Sequence, residues 1–342
     1  MGQKSSVCYR IGRTAKRGNM HKLMSLCVLF LLAAGPVHAQ QEKLKVLISA
    51  DMEGVGGVST WVVQADSKGR EYEKFRRLMT LEVNAAVAGA AEAGATEIIV
   101  GDSHGDAQNI DIELLDKRAR LIRAWPRPLA MMQGVDSGCD AVAFVGYHAR
   151  EGAAEAVLAH TFTGTMVVKL NGVEVPEAGF NAAIAGDFGV PVVFVSGDQT
   201  IAQEARELLG PIETAVVKHA IGFNAAEMMS PEDSQRLIRE GVKRGVERRA
   251  QIKPYKIAHP VKVEIRFNDV VIAELASYLP GGRTDKRQHD RVYGARYDRG
   301  DEARPGGYEP EVAAMKTNKH RRCEESGKRQ PRVLAEAQGF NS

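Results

Sequence analysis

With 342 residues, 44% hydrophobic and 26% charged, the chain can bury a substantial core as one large or two medium domains, which excludes a wholly disordered polypeptide. The formal net charge of +3 hides an uneven distribution: Met1–Ala39 carries six Lys/Arg and no acid, Gly281–Ser342 carries fourteen Lys/Arg against ten acids, and Gln40–Pro280 is left at −7. An acidic centre without a basic patch argues against a nucleic-acid partner.

Residues 1–39 read as a signal peptide. Lys16, Arg17 and Lys22 precede the apolar run Leu23–Ala34, and Gly35-Pro36-Val37-His38-Ala39 has the small residues of a cleavage site. The run is shorter than the roughly 20 residues that span a bilayer. Cleavage after Ala39 is expected, with Met20 an alternative start and an exported, periplasmic or secreted product. Of the four cysteines, Cys8 and Cys27 lie in this leader and Cys323 near the end of the chain. The core then holds Cys139 alone, with no partner for a disulfide.

After the leader, strand-like and helix-like segments alternate. "LKVLISA" is a strand, and "REYEKFRRLMTLEVNAAVAGAAEAG" has helical periodicity with Gly94 as its stop. "TEIIVGD", "CDAVAFVGY" and "VPVVFVSGD" are further strands. "HTFTGTMVVKLNGVEVPEAG" reads as a hairpin turning at Asn171-Gly172. "QTIAQEARELLG" is a helix ending at Gly210, and Ser230-Pro231 opens another. "PVKVEIRFND" alternates as a half-buried strand does. The pattern predicts an α/β fold: a mainly parallel sheet flanked by helices, with a smaller α+β second part. The main domain is expected over 40–281, with a split into two subdomains near 200–255 as one option. Residues 282–342 are polar and aperiodic, and are expected either to be disordered or to reflect a frameshift near Gly281. Resequencing the gene tests the frameshift: a neighbouring frame must encode an amphipathic strand and helix.

In open α/β sheets ligands bind beyond the carboxyl ends of the strands. The first strand delivers Asp51 and Glu53 there, the second Asp102 and His104, the third His148 and Arg150, and the fourth Asp198. The hairpin adds His160 at its start and Glu177 just past its end. Carboxylates and imidazoles are the ligand types that suit zinc and similar divalent ions. Asp51 and Glu53, two residues apart, can face one ion together while Met52 turns away. Taken singly, each of these residues more often caps a helix or turn; their convergence on successive strand ends favours a metal site. Asp198, in "SGDQT", reads as a helix cap. His219, His259, His289 and His320 have no such context. Arg150 suits a substrate carboxylate or a pairing with the acidic cluster. The glycines after Glu53 match neither a P-loop nor a dinucleotide-binding fingerprint.

"SADMEG", "GDSH", "GYHAR", "AHTFTG" and "PEAGFNA", in this order and spacing, resemble the zinc-dependent D-aminopeptidases of the dipeptide-transport type over about Leu44 to Gly281. The resemblance implies two zinc ions per subunit, bound by Asp51 as a bridge, Glu53, His104, His148 and Glu177. It implies His160 as the catalytic histidine; Asn181, in the matched "PEAGFNA" segment, and Arg150 are the expected substrate-binding residues. It implies short peptides with an N-terminal D-residue as substrates, and a homo-oligomer, a decamer of two stacked pentameric rings. Pro176 stands where glycine is expected before Glu177, and the chain after "LPG" lacks the sheet and helix pattern that the family continues with. Two competing readings are another dinuclear metallohydrolase, such as a phosphoesterase, and an exported peptide- or metal-binding protein without catalysis. Paired peptide and phosphoester assays with added zinc separate them.

Overall fold

The computed structural model describes residues 43–278 and, as backbone alone, two strands at 283–284 and 292–297. In chain order the elements are β1 (Lys45–Ala50), α1 (Tyr72–Glu92), β2 (Glu97–Asp102), β3 (Ala119–Ile122), β4 (Ala141–Val145), β5 (Met166–Leu170), β6 (Val173–Glu174), α2 (Glu177–Asp187), β7 (Val192–Asp198), α3 (Gln199–Leu209), β8 (Glu213–Gly222), β9 (Ala225–Met228), α4 (Pro231–Glu247), β10 (Val261–Phe267), α5 (Val270–Ser277), β11 (Arg283–Thr284) and β12 (Val292–Tyr297).

The larger sheet has the order β3-β2-β1-β4-β7-β8-β9. Its pairings are parallel except the last, where β9 folds back antiparallel on β8. The sheet is therefore mainly parallel, as the alternating pattern predicts. β1, β4 and β7 lie at its centre and carry near-continuous apolar runs, as strands covered on both faces must. Burying a Leu47 or an Ile48 there stabilises the fold by about 1.5–3 kcal/mol each. Met52 packs into this core, so its side chain does turn away from Asp51 and Glu53.

The second sheet is antiparallel, with the order β11-β12-β10-β5-β6. β5 and β6 form the expected hairpin, with Asn171 and Gly172 at its turn. A smaller core of Val168, Leu170, Val175, Ala183 and Val261 lies beneath it. This sheet draws on segments on either side of 200–255, so its boundary is not a single cut there. β12 pairs with β10 from Val261↔Tyr297 to Arg266↔Val292, and the sheet thereby continues past residue 281. "VYGARY" is short and lies within a polar, aperiodic stretch, so no sustained pattern announces that strand. Residues 1–42, which include the expected leader, and residues 279–282, 285–291 and 298–342, which include most of the expected polar tail, lie outside the described residues.

The local signals for helices hold where caps specify them. Asp198 accepts hydrogen bonds from the Thr200 and Ile201 amides at the start of α3, and Ser230 accepts one from the Asp233 amide at the start of α4. Asp198 also accepts the Val157 amide (2.8 Å), anchoring the loop that leads to His160.

Candidate metal centre

The carboxyl ends of β1, β2 and β4 deliver Asp51, His104 and His148 to one place, as the topology rule requires. Glu53 follows in the turn after β1. Glu177 is the first residue of α2 rather than part of a loop, and His160 sits in the segment before β5. The turn after β1 is held close: the Gly54 amide donates to the Gly146 carbonyl (2.7 Å), and a Cβ on Gly54 would lie 2.0 Å from the Tyr147 carbonyl oxygen. No side chain larger than hydrogen fits there.

The two carboxylate oxygens of Asp51 face different histidines. Oδ1 lies 3.2 Å from His104 Nδ1, and Oδ2 lies 3.3 Å from His148 Nε2. Glu53 joins the first side, with Oε2 2.9 Å from His104 Nδ1. Glu177 joins the second, with Oε1 3.4 Å from His148 Nε2. His160 Nε2 stands further off, 3.8 Å from Glu53 and 3.9 Å from Glu177, with its ring stacked 3.9 Å over that of His148. Ligand atoms gather within 4.8 Å in two overlapping groups, Asp51–Glu53–His148 and His148–His160–Glu177.

The imidazoles are oriented from behind. His104 Nε2 donates to the Ala65 carbonyl (2.8 Å), His148 Nδ1 to the Ala149 carbonyl (3.1 Å) and His160 Nδ1 to the Leu158 carbonyl (2.7 Å). A carbonyl can only accept, so in each neutral ring the other nitrogen presents its lone pair to the carboxylates. This is how metal-binding histidines are held. The buried His148 Nε2 has no hydrogen-bond partner, although two carboxylate oxygens lie nearby. An orphaned nitrogen among carboxylates fits a divalent cation.

The electrostatics agree. Burial, followed by the charge of Glu53, pushes the Asp51 carboxyl up. Burial also opposes ionisation of Glu53 and Glu177, but His104 and His148 outweigh it, and both carboxyls lie below their usual range. Burial lowers His104 and His148, yet the facing carboxylates overcome it and hold both well above the ordinary imidazole value. Three carboxylates in one buried place need positive charge. Protons on the imidazoles supply it, and a divalent cation supplies it in their stead.

The centre opens into a cavity of about 220 Å³ whose walls include Trp61, Trp125, Phe162 and Met131. Of these, only Phe162 falls within a motif singled out in the sequence, "AHTFTG"; Trp61, Trp125 and Met131 carry no such signal. The segment that carries His160 is strained: Leu158 and Phe162 adopt φ of 49° and 62°. The Phe162 amide donates to Glu177 Oε1 (2.7 Å), which ties this segment to the centre.

Other expected residues lie elsewhere. Asp102 does not reach the centre; its oxygens accept the Asn109 and Ile110 amides and the Asn109 side chain, shaping the loop after His104. Arg150 is not in the cavity wall, and its guanidinium pairs with Glu174 (3.2 Å) and Glu204 (3.4 Å). Asn181 is fully buried behind the site, donating to the Tyr147 hydroxyl (3.1 Å). His259 pairs with Asp187 at the surface.

A family model described as D-aminopeptidase matches residues 44–297. The chain belongs to the D-aminopeptidase family. It is 36% identical over 241 residues to the D-aminopeptidase of Bacillus subtilis (strain 168), covering 70% of this chain and 86% of that protein. Its fold matches a solved structure described as the Zn-dependent D-aminopeptidase DppA from Bacillus subtilis, a self-compartmentalizing protease. That match has a TM-score of 0.71 and 33% identity, and covers 74% of this chain and 92% of the other. Family membership makes the protein a peptide-bond hydrolase.

Proposed function

We propose that this chain is a zinc aminopeptidase that removes N-terminal D-residues from short peptides at a two-metal centre. The observation that carries it is the divided Asp51 carboxylate, with one oxygen toward His104 and Glu53 and the other toward His148 and Glu177. Asp51, Glu53 and His104 would hold one ion; Asp51, His148 and Glu177 would hold the other. Bound zinc supplies Lewis-acid polarisation of the peptide carbonyl and activation of water at neutral pH.

His160 acts as the proton carrier. Its Nδ1–H is committed to the Leu158 carbonyl, so Nε2 is free to accept a proton and return it to the leaving amine. It lines the cavity and is more exposed than the other ligand candidates, as a group that meets substrate must be. The small cavity suits a short peptide. The D-preference rests on family membership and on the description of the relatives. We place Arg150 as a support for the hairpin, through Glu174 on β6, and Asn181 as a brace behind the cavity.

We further propose an exported enzyme, cleaved after Ala39, that assembles as a homo-oligomer. The leader composition supports the first, and the self-compartmentalizing relative supports the second. Zinc reconstitution followed by hydrolysis of D-alanyl and L-alanyl dipeptides tests the activity. Release of D-alanine with two zinc ions per chain is expected; preference for the L-peptide would remove the stereochemical part.

A further inference from the structure

Lys218 lies on β8, far from any expected functional residue in the sequence, and is fully buried. Its Nζ donates to three backbone carbonyls of the turn after β1: those of Glu53, Val55 (3.1 Å) and Val58 (2.7 Å). All three ammonium protons are thus spent on one loop. Glu82, buried on α1, grips the same loop, its Oε1 accepting the Gly56 amide (2.9 Å). Neither residue lines the cavity, so neither meets substrate. A charge such as the Lys218 ammonium is costly to bury, and well-packed apolar side chains at both positions would serve stability as well or better. What this pair does that an apolar pair does not is fix carbonyl and amide directions between residues 53 and 58.

Resting on the metal reading above, we infer that Lys218 and Glu82 are positioning residues that aim the Glu53 carboxylate, and so set zinc affinity on the Glu53–His104 side of the centre. Lys218 acts on the backbone of the ligand itself. Such outer partners typically tune metal affinity by about 10–100-fold. The His148–Glu177 side is held from β4 and α2 and does not touch this loop through either residue.

Zinc titration by equilibrium dialysis, on the full chain confirmed folded by circular dichroism, tests the inference. K218M and E82M are each expected to keep one zinc at wild-type affinity and to weaken the other by about tenfold or more. E82Q keeps an acceptor for the Gly56 amide and is expected to restore both ions. If K218M does not fold, E82M and E82Q carry the comparison. Equal weakening of both ions would reduce the pair to a general structural role, and wild-type binding of both ions in folded K218M and E82M would overturn the inference alone. A wild-type chain that takes up no zinc would overturn the metal reading as well.

Discussion

Asp51 is the residue on which the two halves of the centre depend, because each of its oxygens faces a different histidine. Asp51→Ala should therefore lose at least one zinc and all measurable turnover. Normal turnover with two ions bound in that variant would remove Asp51 from the centre. His160→Ala should keep both ions while kcat falls by about 10²–10⁴-fold, as expected for losing a proton carrier. Loss of metal in that variant would make His160 a ligand, a role its grouping with His148 and Glu177 permits. At this scale the sequence is informative where chemistry and spacing coincide. Asp51, Glu53, His104 and His148 sit at strand ends, and the topology rule converts that position into convergence. Lys218 is opaque, since one lysine in "ETAVVKHAIG" reads as a solvated side chain and only the sheet order carries it to the Glu53 loop. Trp61 and Trp125 are equally opaque, because they come from loops whose paths no local pattern sets.

Among the elements, α1 makes a separate prediction through Glu82. Burial raises its carboxyl from an ordinary 4.5 to about 7, against the Gly56 amide and other favourable partners. Below pH 4.5 both folded and unfolded chains hold the proton. Between 4.5 and about 7 the unfolded chain releases it while the folded chain keeps it, so folding stability falls as pH rises through this window. The contribution is on the order of 3 kcal/mol. Urea denaturation of metal-free protein at pH 5 and pH 7 should show a larger loss for wild type than for E82Q. Parallel losses would contradict the burial argument. The elements most legible in the sequence are those with a period and a cap, such as α4 with Ser230 and Pro231. α2 is hidden because "EAGFNAAIAGD" contains two glycines that weaken a helical reading. The reason appears only in the packing: a Cβ on Gly186 would lie 1.9 Å from the Tyr255 carbonyl oxygen. Glu177 consequently reads as a loop residue, although it opens a helix.

For the whole molecule, alternation of apolar runs and helical periods suffices to give a parallel sheet with its ligands at one edge. The second sheet is harder to foresee, because its strands come from distant segments and one of them, β12, is short and lies within an otherwise polar, aperiodic stretch. The homo-oligomer is checked by size exclusion with light scattering, where a mass several times that of one chain is expected and a monomer would contradict it. N-terminal sequencing of protein expressed with its leader should begin at Gln40; an intact Met1 or Met20 terminus would contradict export by cleavage. Metal analysis of the purified, zinc-reconstituted chain, alongside hydrolysis of D-alanyl-D-alanine and L-alanyl-L-alanine, tests most directly for a two-zinc centre that cleaves peptides. Two zinc ions per chain and release of D-alanine that a chelator abolishes are expected. Folded protein that takes up no zinc, or zinc-loaded protein that cleaves neither peptide, would contradict such a centre.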